Sequence, residues 1–530
     1  MKRLALIGIP LAFLGYFFVY PIASILWLGI SEDGGRGFRE ALGGSWDVAW
    51  FTLWQAVVST VVTLVVAMPG AYVLGRFDFP GKSFVRAIVT VPFVLPTVVV
   101  GTAFLALIGP SGVLGVDLDG TIWAILLAHV FFNYAVIVRT VGGLWANLDP
   151  RLTEAARMLG ASRWRAFTRV TLPLLRPAIA AASSIVFLFT FSSFGVVLIL
   201  GGLRHRTLEV EIWRQTTAFL DLPVAAALAI LQLVGVGAIL FAYSRYQERR
   251  SVQMQLRARS ETTIRPTTAR QRLLVGANVA IMTVLLGGPM VVLAVRSLGD
   301  GPSFANYAAL ADAGRRSVSF VPPVEAVRNS VLIAFAATAI ALIVGGLAAG
   351  VVAYRRGRVS QWFDALLMLP LGTSAVTIGL GFLIALDTPI DLRTSLALVP
   401  IAHALVAIPL VVRTTVPVMR SVRTTLREAA AVLGASPARA WRAVDLPLVS
   451  RALVVGAGFA FAISLGEFGA TSFIARPDTP TMPVAIFRLL DQPGTASFGS
   501  AMAMSTILMV VTAAAIVAIE RFRVADLGEF

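Results

Sequence analysis

The sequence predicts an all-α polytopic membrane protein with about twelve transmembrane helices, arranged as two homologous six-helix halves. Of its 530 residues, 57% are hydrophobic and 14% are charged, and the mean hydropathy is +0.83. A soluble protein would carry about 25% charged residues. Apolar stretches long enough to cross a bilayer recur along the whole chain, and one basic segment occurs twice. These observations indicate an integral membrane protein built by duplication.

The apolar stretches give the positions of the expected spans. We place those of the first half at 4–30, 48–75, 85–109, 121–145, 174–200 and 223–243, and those of the second at 273–296, 327–354, 361–385, 394–419, 450–474 and 498–519. The first stretch is too long for a signal peptide and has no small-residue cleavage site, so we expect an uncleaved helix. The chain therefore divides into a first repeat at 1–244, a basic cytoplasmic linker at 245–272 and a second repeat at 273–530.

The third and ninth spans contain prolines, among them Pro96 and Pro370. Proline inside a membrane helix is tolerated where neighbouring helices or a cavity satisfy the freed backbone groups. We therefore expect both spans to face the interior of the bundle, with Pro96 and Pro370 as candidates for the translocation path. The alternative is that the prolines produce kinks needed only for packing.

Each half carries a short basic segment between its fourth and fifth spans, which we call the elbow. Elbow 1 covers 154–177 and elbow 2 covers 428–451. In elbow 1, Gly160 is suited to end a helix with a left-handed backbone, and Ser162 is a good N-cap for the next helix. Gly434 takes the same place in elbow 2. The pattern predicts a helix–glycine–helix turn in both halves.

The two halves match at a constant offset, because Glu428 follows Glu154 by 274 residues (428 − 154). Without a gap, this offset also pairs Pro96 with Pro370, His129 with His403, Arg139 with Arg413, Phe194 with Phe468 and Arg214 with Arg488. A match of this length predicts a duplication. Six spans in each half place both elbows on the same side of the membrane.

The distribution of the arginines predicts how the chain is oriented in the membrane. They are concentrated at the N-terminus, in both elbows, in the linker and near the C-terminus, and the net charge is +16. The positive-inside rule then puts both termini, the linker and the elbows in the cytoplasm. The polar loops at 201–222 and 475–497 face the other side, where they can receive a partner from outside. This distribution indicates contact with anionic membrane lipid and not with nucleic acid.

The elbows also expose apolar residues, including Leu159, Trp164, Leu433 and Trp441. An apolar stripe with a basic rim is a docking element for a groove on another protein. We expect Glu154 and Glu428 in the first turn of their helices, where a carboxylate offsets the helix dipole. The alternative is that both elbows lie on the membrane surface as amphipathic helices.

The sequence Glu-Ala-Ala, followed by Gly after three further residues, occurs in both elbows. It comprises Glu154, Ala155, Ala156 and Gly160 in elbow 1, and Glu428, Ala429, Ala430 and Gly434 in elbow 2. This pattern resembles the cytoplasmic signature of importer-type (type I) ABC transporter permeases. The fused, double-length form is similar to the thiamine and iron(III) permeases, whereas the segment GEFGA at 466–470 also resembles molybdate and sulfate permeases.

The resemblance implies a type I importer permease fold and a role as the translocating subunit of an ATP-driven importer in the plasma (cell inner) membrane. It implies that the eight elbow residues contact a separate dimer of ATP-binding subunits, and that an extracytoplasmic substrate-binding protein delivers the substrate. ATP would be bound by the partner subunit, and no cofactor by this chain.

The residues themselves do not indicate an enzyme. The nucleotide-binding pattern G-x-x-x-x-G-K-[ST] is not found, and the chain has no cysteine. His129 and His403 lie within apolar spans, but neither has a Cys, His or acidic residue one helical turn away, as a metal site would need. We therefore predict interior histidines that hydrogen-bond between helices, with no catalytic residue and no metal.

Glu467 is the acid that the sequence places deepest in an apolar stretch, and its repeat counterpart is Ser193. An ionisable group within a span marks a pathway or a paired site. We therefore predict that Glu467 lines the translocation path and favours a cation, which ranks thiamine or a related compound first, iron(III) second and oxyanions third. The alternative is a glutamate that serves helix packing only.

The sequence is also compatible with a transporter of another class. A secondary transporter with an internal repeat, driven by an ion gradient, would also have about twelve spans. It would need intramembrane charge pairs in both halves, and this sequence offers few.

Overall fold

The computed structural model describes residues 2–31, 36–250, 262–299, 301, 303–311, 322–354, 357–388 and 390–522. Residues 251–261 of the predicted linker, which spans 245–272, lie outside these ranges. Within the described ranges, the helices are joined by turns and loops, and the one β-type feature is an isolated parallel bridge between Phe77 and Ile264.

Thirteen helices form the first half of the described chain. They are α1 (Lys2–Leu14), α2 (Tyr20–Ser31), α3 (Arg36–Gly44), α4 (Trp46–Arg76), α5 (Lys82–Val94), α6 (Thr97–Ile108), α7 (Ile122–Asn147), α8 (Pro150–Met158), α9 (Arg163–Ala166), α10 (Leu172–Phe191), α11 (Gly195–Leu200), α12 (Leu208–Thr217) and α13 (Leu222–Arg250).

The second half repeats this order helix by helix. Its members are α14 (Ala269–Met282), α15 (Gly288–Arg296), α16 (Ala305–Ala309), α17 (Pro323–Tyr354), α18 (Arg358–Gly372), α19 (Ala375–Ala385), α20 (Leu398–Ser421), α21 (Thr424–Val432), α22 (Pro437–Ala440), α23 (Leu446–Gly466), α24 (Thr471–Ile474), α25 (Met482–Asp491) and α26 (Thr495–Phe522). Even the π-helical turns recur, since Gly15–Val19 and Phe167–Thr171 correspond to Thr283–Gly287 and Trp441–Asp445. The structure thus confirms an all-α fold made of two homologous halves.

In the described part of the chain, ten helices are long and apolar enough to cross a membrane, and the number is twelve if each of two bent pairs counts as one span. The third and ninth spans, expected at 85–109 and 361–385, are these bent pairs. The helix axes turn by 106° between α5 and α6 and by 99° between α18 and α19. Most residues of α6 and α19 are buried, which confirms that these segments face the interior.

The bends also correct the ungapped alignment. In the first half the chain breaks at Leu95 and Pro96, and in the second at Thr373 and Ser374. The offset between the breaks is 278 (374 − 96), not 274. Pro96 therefore corresponds to Ser374, and the structural counterpart of Pro370 is Pro92. The loop before the fourth span accounts for the four-residue gap, because the 274-residue offset holds from that span onward.

The fifth spans begin earlier than the apolar stretches suggested. The short second helix of each elbow continues directly into the span, giving continuous helical segments at Arg163–Phe191 and Pro437–Gly466. The regions at 201–222 and 475–497 are also not simply exposed polar loops. Each folds back into the protein as a short helix, α12 or α25, whose first residues are buried.

The first span of each half packs against the other half. Helix α1 contacts α17, and α2 contacts α19, where Gly381 leaves room for Pro21: a Cβ at this glycine would lie 2.9 Å from the Pro21 Cβ. In return, α14 and α15 pack against α4 and α6. The two six-helix halves are therefore interlocked by an exchange of their first spans.

The described part of the linker is hydrogen-bonded to the first half of the protein. Helix α13 extends to Arg250, and the chain after 261 lies along the first half. The Ile264 amide donates to the Arg76 carbonyl at 2.9 Å, and the Asp78 amide donates to the Ile264 carbonyl at 2.9 Å. The Thr262 hydroxyl donates to the Ala146 carbonyl, just before elbow 1.

Candidate functional site: the elbows and the central interface

Elbow 1 has the predicted helix–glycine–helix geometry. Helix α8 ends at Gly160, whose φ is +85°, and the Ala161 amide donates back to the Ala156 carbonyl at 3.0 Å. The Gly160 amide donates to the Arg157 carbonyl at 3.0 Å, which completes a Schellman termination. Ser162 then caps α9, since its hydroxyl accepts from the Arg165 amide at 3.2 Å.

Elbow 2 has the same arrangement at the 274-residue offset. Gly434 has a φ of +79°, and its amide donates to the Ala431 carbonyl at 2.9 Å. The Ala435 amide donates to the Ala430 carbonyl at 2.9 Å, and the Ser436 hydroxyl accepts from the Arg439 amide at 3.4 Å. The local predictions for glycine and serine are thus confirmed in both halves.

The first helices of the elbows, α8 and α21, have no buried residue. Leu159 is 89% exposed and Leu433 is 87% exposed, although both are large apolar side chains. Glu154, Ala155, Glu428 and Ala429 are exposed, and Ala156 and Ala430 are half-buried. An exposed apolar tip on an otherwise polar helix is a surface that a partner would cover.

The position of the two glutamates differs from the expectation. Helix α8 begins at Pro150 and α21 at Thr424, so Glu154 and Glu428 lie at the fifth helical residue, beyond the first turn. Asp149 takes the capping place in elbow 1, where its carboxylate accepts from the Arg151 amide at 3.0 Å. Glu154 and Glu428 therefore do not offset the helix dipole at the N-terminus. Their carboxylates lie on the exposed surface.

The two elbows are held by different side chains at equivalent positions. In elbow 2, the Arg427 Nε donates to both Asp445 carboxylate oxygens, at 3.0 and 3.1 Å, and the Tyr354 hydroxyl donates to Asp445 at 3.0 Å. These hydrogen bonds raise the pKa of Arg427, so the guanidinium stays charged. In elbow 1 the equivalent residues are Thr153 and Thr171, with their hydroxyls 3.4 Å apart. We call the Arg427–Asp445–Tyr354 group the elbow-2 latch.

Four aromatic side chains meet between the halves, and we call them the axial aromatic cluster: Phe194, Trp213, Phe468 and Phe487. Phe194 stacks on Phe468, with ring centroids 5.3 Å apart and an interplanar angle of 21°. Trp213 meets Phe487 edge-on at 5.7 Å. Each contact joins two residues related by the 274-residue offset, which places the cluster on the pseudo-symmetry axis.

Glycines next to the axial phenylalanines allow the bent spans to approach. A Cβ on Gly195 would lie 2.5 Å from the Thr97 hydroxyl, and one on Gly469 would lie 2.9 Å from the Ala375 Cβ. Thr97 and Ala375 begin α6 and α19. The adjacent phenylalanine and glycine of each half thus bring the axis and the bent spans together, and Pro96 contacts the second half opposite Gly466.

The two interior histidines have hydrogen-bond partners on neighbouring helices, as predicted. The His129 ring nitrogens lie 2.9 Å from the Ser59 hydroxyl and 2.8 Å from the Ser193 hydroxyl. The His403 nitrogens lie 2.7 Å from the hydroxyls of Ser464 and Thr471. Within the described ranges, no group of three His, Cys, Asp or Glu side chains is placed to hold a metal ion.

Glu467 is buried and surrounded by hydrogen-bond donors. Its carboxylate accepts from the amides of Ala470 at 2.8 Å and Thr471 at 3.1 Å, and from the Thr471 hydroxyl. The His403 Nε2 lies 3.1 Å away, a basic partner that the local sequence around Glu467 did not reveal. The carboxylate therefore caps the short helix α24, and its role in the path stays a prediction.

A buried acid at the interface between the halves was missed. Glu209 on α12 is fully buried, so Glu467 is not the only deep acid of the chain. The Ser374 hydroxyl donates to the Glu209 carboxylate at 2.7 Å, and the Gln232 amide donates to its other oxygen. Ser374 belongs to the second half, so Glu209 bridges the two halves. A polar segment, TLEVEIW at 207–213, hid this burial.

Known proteins resemble this chain over most of its length. Residues 67–253 and 337–525 each match the family of binding-protein-dependent transport system inner membrane components. A thiamine transport system permease protein of Brucella abortus is 26% identical over 96% of this chain and 95% of its own length. A probable ABC transporter permease protein of Sinorhizobium fredii is 26% identical over 82% of this chain and 80% of its own. The sulfate transport system permease protein of Escherichia coli is 28% identical over 46% of this chain and 91% of its own.

Each family match covers the third to sixth spans of its half, its elbow and its two residues of the axial aromatic cluster, whereas the first span of each half lies outside the matched residues. The single-length sulfate permease aligns with about half of the chain, as a duplication requires. This chain belongs to the family of binding-protein-dependent transport system inner membrane components, as a fused, double-length ABC importer permease.

Proposed function

We propose that this permease moves thiamine or a closely related organic cation into the cell. The observation that carries the proposal is the similarity to thiamine permeases over 96% of the chain, in the same double-length form. Sulfate is the second candidate substrate. The sulfate permease matches one half of the chain at 28% identity, and the GEFGA segment resembles oxyanion permeases. An iron(III) substrate rests on the resemblance of the double-length form alone.

The proposal includes two kinds of partner. A dimer of ATP-binding subunits would dock on the two elbows, where the exposed tips at Leu159 and Leu433 offer equivalent apolar contacts. An extracytoplasmic binding protein would deliver the substrate to the opposite face. ATP and its hydrolysis belong to the partner, and this chain would contribute the path and the coupling helices.

The proposed location is the cell inner membrane, with both termini and both elbows in the cytoplasm. The arginine distribution supports this orientation, because basic residues are concentrated at the elbows and in the linker. Rigid glycine turns at the elbows would carry a movement of the ATP-binding subunits into the fifth spans, which continue directly from the elbows.

The test is uptake by the complex of this chain, its ATP-binding subunits and its binding protein in proteoliposomes. We expect ATP-dependent accumulation of radiolabelled thiamine that excess sulfate, molybdate or iron(III) does not reduce. Dissipating ion gradients with ionophores should leave uptake intact, since the energy comes from ATP. Accumulation of sulfate without thiamine would contradict the substrate, and uptake driven by an ion gradient without ATP would contradict the importer mechanism.

A further inference from the structure

The buried acid Glu209 is in a different situation from Glu467. The Glu467 carboxylate is engaged by two backbone amides, a hydroxyl and a histidine, all from the second half. Glu209 has two side-chain partners in the described structure, Gln232 and Ser374, and only Ser374 lies in the other half. A movement that separates the halves would break the Ser374 contact and leave Glu467 unchanged.

The axial aromatic cluster lies on the same face of α12 as this carboxylate. Glu209 and Trp213 are four residues apart in one helix, so their side chains project to the same side. Trp213 contacts Phe487 and Glu209 contacts Ser374, and both partners belong to the second half. The acid and the aromatic rings therefore face the same interface.

The cluster also has an unsatisfied polar atom. In the described structure the Trp213 Nε1 is buried without a hydrogen-bond partner, and so is the Gln232 Oε1 beside Glu209. Buried polar groups of native proteins are normally paired, so these two atoms are available for partners in another state or in a ligand. Both atoms belong to the first half: Trp213 lies on α12, which also carries Glu209, and Gln232 lies on α13 and donates to Glu209.

The repeat supplies an internal comparison. The counterpart of Glu209 at the 274-residue offset is Pro483 on α25, so only one of the two related positions carries an acid. The aromatic rings, in contrast, are present in both halves. The axis thus combines a nearly symmetric aromatic surface with the carboxyl group of Glu209 on one side only, and this group can act as the counter-ion of one monovalent cation once the site opens to water.

We propose that Glu209 and the axial aromatic cluster form the binding site for an organic cation in the path between the halves. In the present structure the site is closed by aromatic stacking and by the Glu209–Ser374 hydrogen bond. When the halves separate, the carboxylate becomes the counter-ion and the ring faces attract the cation. The substrate class rests on the proposed function, whereas the position of the site rests on these contacts.

The test compares four single variants in the reconstituted complex, with thiamine as the probe. Glu209→Gln and Trp213→Leu are expected to lower the maximal rate of thiamine uptake, measured with saturating loaded binding protein, at least about tenfold, while the complex assembles and hydrolyses ATP normally. Ser374→Ala removes the bridging donor and the N-cap of α19 but keeps the carboxyl group, and should reduce this rate much less than Glu209→Gln does. Glu211→Gln is the matched control, because that carboxylate pairs with Arg206 and Arg214.

The outcomes are distinguishable. If Glu209→Gln and Ser374→Ala impair uptake equally, Glu209 is only a clamp between the halves and the inference is overturned. If Glu209→Gln does not assemble, Trp213→Leu decides, and a normal maximal rate of thiamine uptake in that variant overturns the site. If the wild-type complex transports no thiamine, the proposed substrate fails and the cation site fails with it.

Discussion

Replacing Gly160 or Gly434 by valine is expected to abolish transport while the protein still reaches the membrane. Both glycines have a positive φ, +85° and +79°, which costs a residue with a side chain roughly 1–2 kcal/mol and a β-branched residue more. A Cβ at either position would meet no atom of this chain within 4 Å, so the strain of the backbone conformation is the effect to expect within the permease. The exposed elbow would relieve the strain by changing the angle between its helices, which misplaces the docking tip.

The measurement is thiamine uptake at equal amounts of membrane-inserted protein. Asparagine tolerates the left-handed backbone better than valine, so Gly160→Asn and Gly434→Asn should retain more uptake. Gly143→Val on α7 is a matched control, since its Cβ would also meet nothing within 4 Å and its backbone has no positive φ. Near-normal uptake in both elbow valine variants would contradict the role of the glycine turns.

Breaking the elbow-2 latch is the second large expected effect. Asp445 is 1% exposed, and its partner Arg427 donates through two nitrogens. Arg427→Thr leaves a buried carboxylate with only the Tyr354 hydroxyl as partner. Breaking a fully buried pair costs about 3–5 kcal/mol, and we expect a smaller loss here because the Arg427 side chain is 30% exposed. We expect a lower unfolding temperature for the purified permease and loss of uptake.

The first half of the protein indicates a second substitution that should restore the lost stability. Because Thr153 and Thr171 occupy the equivalent positions in elbow 1, the double variant Arg427→Thr/Asp445→Thr reproduces a pair that the fold already uses. Its unfolding temperature should return most of the way to that of the wild type. A double variant as unstable as Arg427→Thr alone would show that the latch does not act as a pair.

Local signals in the sequence were sufficient for the elbows. A glycine that ends a helix and a serine that begins the next act through their own backbone and nearest neighbours, so Gly160, Ser162 and Gly434 adopt the predicted conformations. The spans were also predictable in number, since apolar length alone determines whether a helix can cross a bilayer.

Features that depend on distant contacts could not be predicted in the same way. Proline at position 96 indicates a kink but not a turn of 106°, which is set by packing at the interface between the halves. Glu209 lies in a segment that alternates polar and apolar residues, and its partner Ser374 is 165 residues away. Glu467 likewise has a basic neighbour only because His403 comes from another span.

Cysteine cross-linking tests the coupling role of the elbows most directly. The chain has no cysteine, so single variants Leu159→Cys and Leu433→Cys introduce the only thiol. In the assembled complex, we predict that both cross-link to an ATP-binding subunit, whereas Leu203→Cys, exposed in the loop between α11 and α12, does not. A complex that transports its substrate but cross-links from neither elbow, or equally from Leu203→Cys, would contradict the account.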